Sequence, residues 1–296
     1  MEALQTFGIN SWQANVDAKL SNALTLALEQ GQVLFLPKLG FALQENETQF
    51  LSPSWLNGSR KNISLEGHKS DSRHLGGAQG EEQELARLAA MIARFSNDAT
   101  SLVHALFPHY AAHFNQARTS YRPGLVGAAK AISWKKDDSR LHVDAFPSRP
   151  NYGERILRVF SNVNADGVDR VWRVGEPFEA TAKRFLPKIK KPIFGSASLL
   201  KLLKITKKKR SEYDHIMLHL HDGMKADLDF QQNVPQQTVY FPPNSTWICF
   251  SDQVLHAAMS GQYMLEQTFH LPVTALQHPE LSPLKVLERL KGRALI

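Results

Sequence analysis

Apolar positions recur with a helical period over the first hundred residues, and from about residue 118 the period shortens to that of strands. Val16, Leu20, Ala23, Leu24 and Ala27 share one face of a helix predicted over 13–30, with Gly31 as its C-cap. Val33-Leu34-Phe35-Leu36 reads as a short buried strand that Pro37 stops. Residues 44–80 are polar and read as a long loop that could act as a lid. Leu85, Leu88, Ala89, Ile92, Phe95, Leu102, Val103 and Leu106 predict a long helix over 81–114, broken at Pro108.

Short strands follow near 118–122, 126–134, 139–144, 154–163, 169–174, 237–241, 246–251, 254–258 and 262–271. Pro123-Gly124, Asp137-Asp138, Asn164-Ala-Asp-Gly167 and Pro242-Pro243-Asn244 are among the turns between them. Many short strands with frequent turns predict a mainly β fold, a jelly roll or double-stranded β-helix. Residues 176–235 interrupt the series as a helical, basic insert. The expected organisation is a mixed N-terminal extension (1–115) packed on a core (116–275), then a C-terminal helix (276–296). With 296 residues, 43% of them hydrophobic, the chain can bury a sizeable core.

Within the strand series, Arg140-Leu-His-Val-Asp-Ala-Phe-Pro-Ser-Arg149 carries the first candidate chemistry. On a strand, residues two apart face the same way, so His142 and Asp144 can offer a nitrogen and an oxygen to one metal. Pro147 ends the strand and leaves the pair at its open end. The triplet alone reads as well as a strand-end pair without metal. A second histidine would complete the two-histidine, one-carboxylate triad of non-haem Fe(II) oxygenases. His256 fits, since it opens a new strand after the buried run Trp247-Ile-Cys-Phe250 and a polar turn. The competing His215, His219 and His221 lie in a helical stretch, where packed or solvated rings are the simpler expectation.

Arg158 sits between Ile156 and Phe160 on one face of its strand. A buried arginine there needs a carboxylate, either from a protein acid or from a 2-oxo acid co-substrate held by both arms of the guanidinium. The strand after His256 offers Gln267 and Thr268 for the same co-substrate, but no cation.

The single cysteine, Cys249, excludes an intramolecular disulfide framework and a thiolate cage. No apolar stretch reaches membrane-spanning length, and Met1-Glu-Ala-Leu-Gln-Thr lacks a basic, apolar leader, so the expected compartment is the cytoplasm. Net charge is +7, yet residues 183–210 alone hold eleven Lys or Arg and no acid, so the rest of the chain is net negative.

Arg140-Leu-His-Val-Asp-Ala-Phe-Pro-Ser-Arg-Pro, Arg155-Ile-Leu-Arg-Val-Phe-Ser-Asn-Val-Asn and Arg170-Val-Trp-Arg-Val-Gly-Glu-Pro-Phe-Glu resemble the bacterial Kdo hydroxylases. The resemblance is densest over 118–180 and 243–271. It implies a cupin-like Fe(II)- and 2-oxoglutarate-dependent dioxygenase that uses O2 to hydroxylate carbon 3 of 3-deoxy-D-manno-oct-2-ulosonic acid (Kdo) in the lipopolysaccharide inner core. The iron ligands it implies are His142, Asp144 and His256. The Kdo carboxylate requires a cation, and Arg122, Lys130, Arg140 and Arg149 lie at strand ends near the triad. Two readings of other classes compete: a jelly-roll oxygenase for another acidic substrate, such as nucleic acid or a protein side chain, and a non-enzymatic basic binding protein.

The basic segment offers only Phe185 and Phe194 to stack on bases, so nucleic acid is not the expected partner. Its apolar run, Ile193 to Ile205, is too short to span a bilayer. With Lys207, Lys208, Lys209 and Arg210 it can lie on an anionic membrane surface that presents a Kdo-containing glycolipid. That places the protein peripherally on the inner face of the inner membrane. A solvated helix packed on the barrel is the equal alternative.

Overall fold

The computed structural model describes residues 2–58, 60–66, 69, 72–127, 133–192, 201, 203–204 and 206–296. Among them, strands form two facing sheets. The larger contains β1 (Leu4–Thr6), β2 (Val33–Leu36), β3 (Ile63–Leu65), β4 (Leu75–Gly76), β5 (Asn115–Arg122), β6 (Arg155–Asn162), β9 (Ser245–Phe250) and β11 (Met264–Leu271), in the order β1-β2-β9-β6-β11-β5-β3-β4. The smaller runs β10-β7-β8 and contains β7 (Arg170–Gly175), β8 (Gln236–Phe241) and β10 (His256–Ser260). This is the predicted mainly β, two-sheet jelly-roll architecture with helical additions.

β6 is central, and every one of its residues is buried. Its side chains divide by parity. Leu157 and Val159 join the outer core beneath α1 (Ala18–Glu29) and α2 (Glu82–Leu106), which also takes Leu24, Leu28, Ile92, Phe95 and Phe269. Phe160 points between the sheets, where it meets Trp172, Phe241 and Trp247. Phe241 and Trp247 stack with ring centroids 4.1 Å apart, and Phe160 stacks on Trp247 at 5.3 Å. Large aromatic rings therefore close one end of the space between the sheets.

Four expectations need correction. The first helix begins at Ala18 rather than 13, because the Asp17 side chain accepts a hydrogen bond from Leu20 N and caps it. Gly31 follows the helix with φ +80°, as a residue past a C-cap should. The polar stretch 44–80 is partly sheet: Ile63 and Leu65 bury their side chains as β3 pairs with β5. The strand expected over 126–134 is not one: Ser133 instead caps a short turn of 3-10 helix at Trp134–Lys136, and 128–132 lie outside the described residues. The other expected strands appear within a few residues of their predicted limits, except that over 139–144. The second helix ends at Leu106 ahead of Pro108, and the tail forms a helix over Pro283–Lys291.

The insert supplies α3 (Phe178–Phe185), α4 (Glu212–Ala226) and α5 (Leu228–Asn233), and α6 (Pro283–Lys291) joins their core. That core also receives Leu141, Val143 and Leu255 from the jelly roll.

Candidate metal centre

The segment around His142 is shaped from both sides. Leu141 and Val143 are fully buried in the insert's core, which turns His142 and Asp144 the other way. Burying two such side chains contributes roughly 1.5–3 kcal/mol each. The expected strand here shrinks to a single antiparallel bridge, His142 to His256. The reason is local: the Gln231 side chain takes the ladder bonds of Leu141, accepting from its N at 2.7 Å and donating to its O at 2.9 Å. Main-chain bonds between His142 and His256 (3.1 and 2.9 Å) and from Asp144 N to Ser251 O (2.8 Å) fix the three residues beside one another.

One atom from each of His142, Asp144 and His256 lies within 4.8 Å of the others. His142 Nδ1 is 2.8 Å from Arg140 O, and His256 Nδ1 is 2.9 Å from Val254 O. A carbonyl only accepts, so each Nδ1 must carry the proton, which leaves each Nε2 lone pair for a metal. Burial holds both imidazoles below their ordinary pKa and so keeps them neutral; for His142 the neighbouring His256 adds to the effect. Burial opposes ionisation of Asp144, but the Arg158 guanidinium overrides it and holds the carboxyl well below the usual carboxylate range. Two neutral imidazoles and one ionised carboxylate are a donor set suited to Fe(II). Trp172 stacks on His256 at 5.1 Å and fixes its ring from the aromatic side.

Behind Asp144 lies a buried network of cations. Arg158 Nη2 is 2.9 Å from Asp144 Oδ2, and its Nη1 is 2.6 Å from Glu266 Oε1. Arg122 Nε reaches the other oxygen of Glu266 at 3.2 Å. Arg170 is also buried, donating from Nη1 to Gly261 O at 3.0 Å; burial, then the nearby Arg122, push its pKa down to about 9. The Nε atoms of Arg158 and Arg170 are buried without a hydrogen-bond partner. Three arginines against Glu266 and Asp144 leave an excess of positive charge, which suits an anionic ligand.

A family model described as 3-deoxy-D-manno-oct-2-ulosonic acid (Kdo) hydroxylase matches residues 11–294. The chain belongs to the Kdo hydroxylase family. Its fold is similar to the crystal structure of the Kdo hydroxylase KdoO, a non-haem Fe(II) α-ketoglutarate-dependent dioxygenase, in complex with α-ketoglutarate and Fe(III): identity is 46%, coverage 100% of this chain and 98% of that one, and TM-score 0.93. A KdoO structure in complex with cobalt(II) matches at 47% identity over the same shares, with TM-score 0.94. A KdoO structure in complex with succinate and Fe(III) matches at 46%, again over 100% and 98%, with TM-score 0.93. No curated protein sequence matches the chain.

Within this family framework the remaining candidate residues separate. Thr268 pairs in register with Arg158 and shares its face. Gln267 does not: it points to the helix layer, where its side chain accepts from Ser96 and Thr119 and donates to Ala117 O. It therefore does not share the face of Arg158 and is not a co-substrate contact of the kind expected from the sequence. Arg140 is occupied in structure, donating to Lys225 O at 2.7 Å and pairing with Asp137 at 3.3 Å. Arg122 is held by Glu266, Arg149 is exposed, and Lys130 lies outside the described residues. His215 and His219 pack on each other with centroids 4.3 Å apart and stand outside the triad. His221 instead sets its ring edge to face with His142 at 5.3 Å, its Nδ1 held by Asp222 at 2.9 Å. Sequence reasoning missed Glu266, Arg170 and Lys225, and it set His221 aside as a competing histidine without foreseeing its contact with His142. For Arg170 a signal existed, since it shares strand parity with Trp172.

Lys207, Lys208 and Lys209 are exposed. Their backbone is tied to the loop that follows Asp144: Lys207 N donates to Ser148 O, Tyr152 Oη to Lys209 O, and Arg210 Nη2 to Pro147 O. Much of the preceding apolar run, at 193–200, 202 and 205, lies outside the described residues. Among the described residues no helix is long and apolar enough to cross a membrane.

Proposed function

We propose that the chain is an Fe(II)- and 2-oxoglutarate-dependent dioxygenase that hydroxylates carbon 3 of Kdo in Kdo-lipid A, giving the 3-hydroxylated sugar acid Ko, succinate and CO2. The convergence of His142, Asp144 and His256, with both Nε2 atoms freed by their backbone bonds, carries this reading. These three residues would hold the iron, and a two-histidine, one-carboxylate set is suited to a metal that also takes up a 2-oxo acid and O2. Iron with 2-oxoglutarate and O2 supplies the oxidising power needed to replace an unactivated C–H bond with C–OH. The chain's own part is to bind, orient and exclude water. Arg158, with Thr268 beside it, anchors a carboxylate of 2-oxoglutarate through its unpartnered Nε or by giving up one of its pairs to Asp144 and Glu266. Arg122 and Arg170 add positive charge on the same side. The Phe160, Trp172, Phe241 and Trp247 rings keep water from entering between the sheets.

The test is to load the purified chain with Fe(II) and 2-oxoglutarate and follow succinate with and without Kdo-lipid A. Succinate formation should rise with the lipid, and the lipid should gain one oxygen atom on its Kdo residue. Succinate without lipid oxidation, or no response to the lipid, would count against the reading.

The glycolipid is reached at a membrane surface. Lys207, Lys208, Lys209 and Arg210 lie along the rim formed by the loop after Asp144, beside the exposed rings of Phe146 and Tyr152. Cations interleaved with exposed aromatic rings suit an anionic headgroup layer. Peripheral association with the cytoplasmic face of the inner membrane would bring the open end of the jelly roll to its substrate.

A further inference from the structure

We infer that Lys225 is the cation that receives the carboxylate of the sugar-acid substrate, brought toward the triad by the insert helix while Arg158 comes from β6. The inference rests on the substrate class proposed above and assigns the residue that reads its charge.

Lys225 lies on α4, one helical turn beyond His221 and therefore on the same helix face. That face is turned to the triad, because the His221 ring lies against His142 at 5.3 Å. Lys225 is 2% exposed, so its ammonium is set inside the protein rather than in solvent. Nζ donates to Lys135 O at 3.0 Å, which uses one of its three N–H donors. Among the described residues no carboxylate stands within ion-pair distance of it, whereas the buried Arg155 has one and Arg158 two. A buried ammonium without a counter-ion is unfavourable, and the penalty is relieved when an anion arrives. Burial lowers the Lys225 pKa, while the fields of Asp138 and Asp144 act to keep its charge; Lys225 in turn acts on both His142 and His256. The ammonium is thus within electrostatic reach of all three candidate ligands.

The two anions of the reaction then have separate anchors. Arg158 approaches Asp144 from β6, while the insert sets His221 against His142 with Lys225 one turn further along the same helix face. This gives the insert a role in the reaction. It also replaces Arg140, whose guanidinium is spent on the Lys225 carbonyl and so fixes the end of the helix that carries the ammonium.

Lys225→Gln keeps a donor for Lys135 O and removes the charge, so it separates binding from a structural role. The assay compares Kdo-lipid A with the same lipid carrying its Kdo carboxylate as a methyl ester. In the wild type the acid should be preferred. Lys225→Gln should lower kcat/KM for the acid about 10- to 100-fold, the worth of one charge-assisted hydrogen bond, and leave the ester nearly unaffected. Lys225→Arg should recover part of the acid preference. A purely structural lesion would reduce acid and ester together, and that result overturns the inference, as does a wild type that fails to distinguish the two. If Lys225→Gln does not fold, Lys225→Met is read in the same assay with the same two outcomes. A wild type that binds Fe(II) and 2-oxoglutarate but oxidises neither lipid defeats the sugar assignment and this inference with it. Retained acid preference in the variant defeats Lys225 alone.

Discussion

Arg158 Nη2 lies 2.9 Å from Asp144 Oδ2, so the candidate co-substrate anchor and the carboxylate of the triad form one buried ion pair. Glu266 holds the other arm of the guanidinium at 2.6 Å. An arginine that only anchored 2-oxoglutarate could be removed with the metal ligands intact; this one is also paired to one of them.

Arg158→Ala should therefore act twice. The requirement for 2-oxoglutarate should rise strongly, and metal affinity should fall about 10- to 100-fold, the usual consequence of losing a residue that orients a ligand. Cobalt(II) titration and succinate formation against 2-oxoglutarate concentration measure the two effects. Unchanged cobalt affinity would show that the Asp144 contact does nothing for the metal.

Gln231 predicts a second, remote sensitivity. Its amide binds Leu141 N and O, and also donates to Met224 O. Gln231→Leu leaves these buried groups without partners, at about 1–3 kcal/mol for each. The melting temperature should drop, and metal affinity should drop with it, because the same bonds hold His142 and Asp144 in place. Addition of cobalt(II) should restore part of the lost stability. A variant that melts lower yet binds cobalt as tightly as the wild type would separate the clamp from the site.

What could be read in the chain beforehand follows from parity. His142 and Asp144 needed only the two-residue repeat of an extended segment, and Ile156, Arg158 and Phe160 needed the same rule. Gln267 was misplaced although that rule spoke against it: Leu265 and Phe269 alternate with Glu266 and Thr268, so Gln267 belongs to the apolar outer face. The partners of Arg158 were not legible. Glu266 is brought to it by the register of β6 on β11, a pairing across 108 residues of chain. Lys225, and the contact of His221 with His142, were hidden for a similar reason. The helix could be read from its own sequence, but its seating across the His142 segment depends on Leu141, Val143 and the insert core coming together.

The triad also predicts how the metal-free protein responds to acid. Burial lowers the folded-state pKa of His142 and His256 from an ordinary value of 6.5. Below that value the unfolded chain binds more protons than the folded one, so their contribution is full above it and is lost as pH falls. Asp144, held below its ordinary 3.8 by Arg158, adds a further loss at still lower pH. The melting temperature of the apoprotein should therefore fall between about pH 7.5 and 5.5, the range in which free histidine takes up its proton. His256→Gln should flatten that slope. An equally steep slope in this variant would assign the acid sensitivity to groups elsewhere.

The exposed cations at the rim of the site give the last prediction. Replacing Lys207, Lys208, Lys209 and Arg210 with Gln removes four positive charges next to the loop that follows Asp144. Each cation close to an anionic bilayer contributes about 1 kcal/mol, so cosedimentation with phosphatidylglycerol vesicles should fall by one or more orders of magnitude. Binding of the unaltered chain should weaken with salt, because the Debye length is only about 8 Å at physiological ionic strength. Turnover of Kdo-lipid A in vesicles should fall with vesicle binding, while turnover of the same lipid dispersed in neutral detergent should change much less, since none of the four residues belongs to the triad. Retention on heparin or DNA without vesicle binding would instead mark the segment as a nucleic-acid surface. Vesicle binding and vesicle turnover equal to those of the unaltered chain would leave these four residues as solvated charges, with the rim contributing nothing to delivery of the lipid.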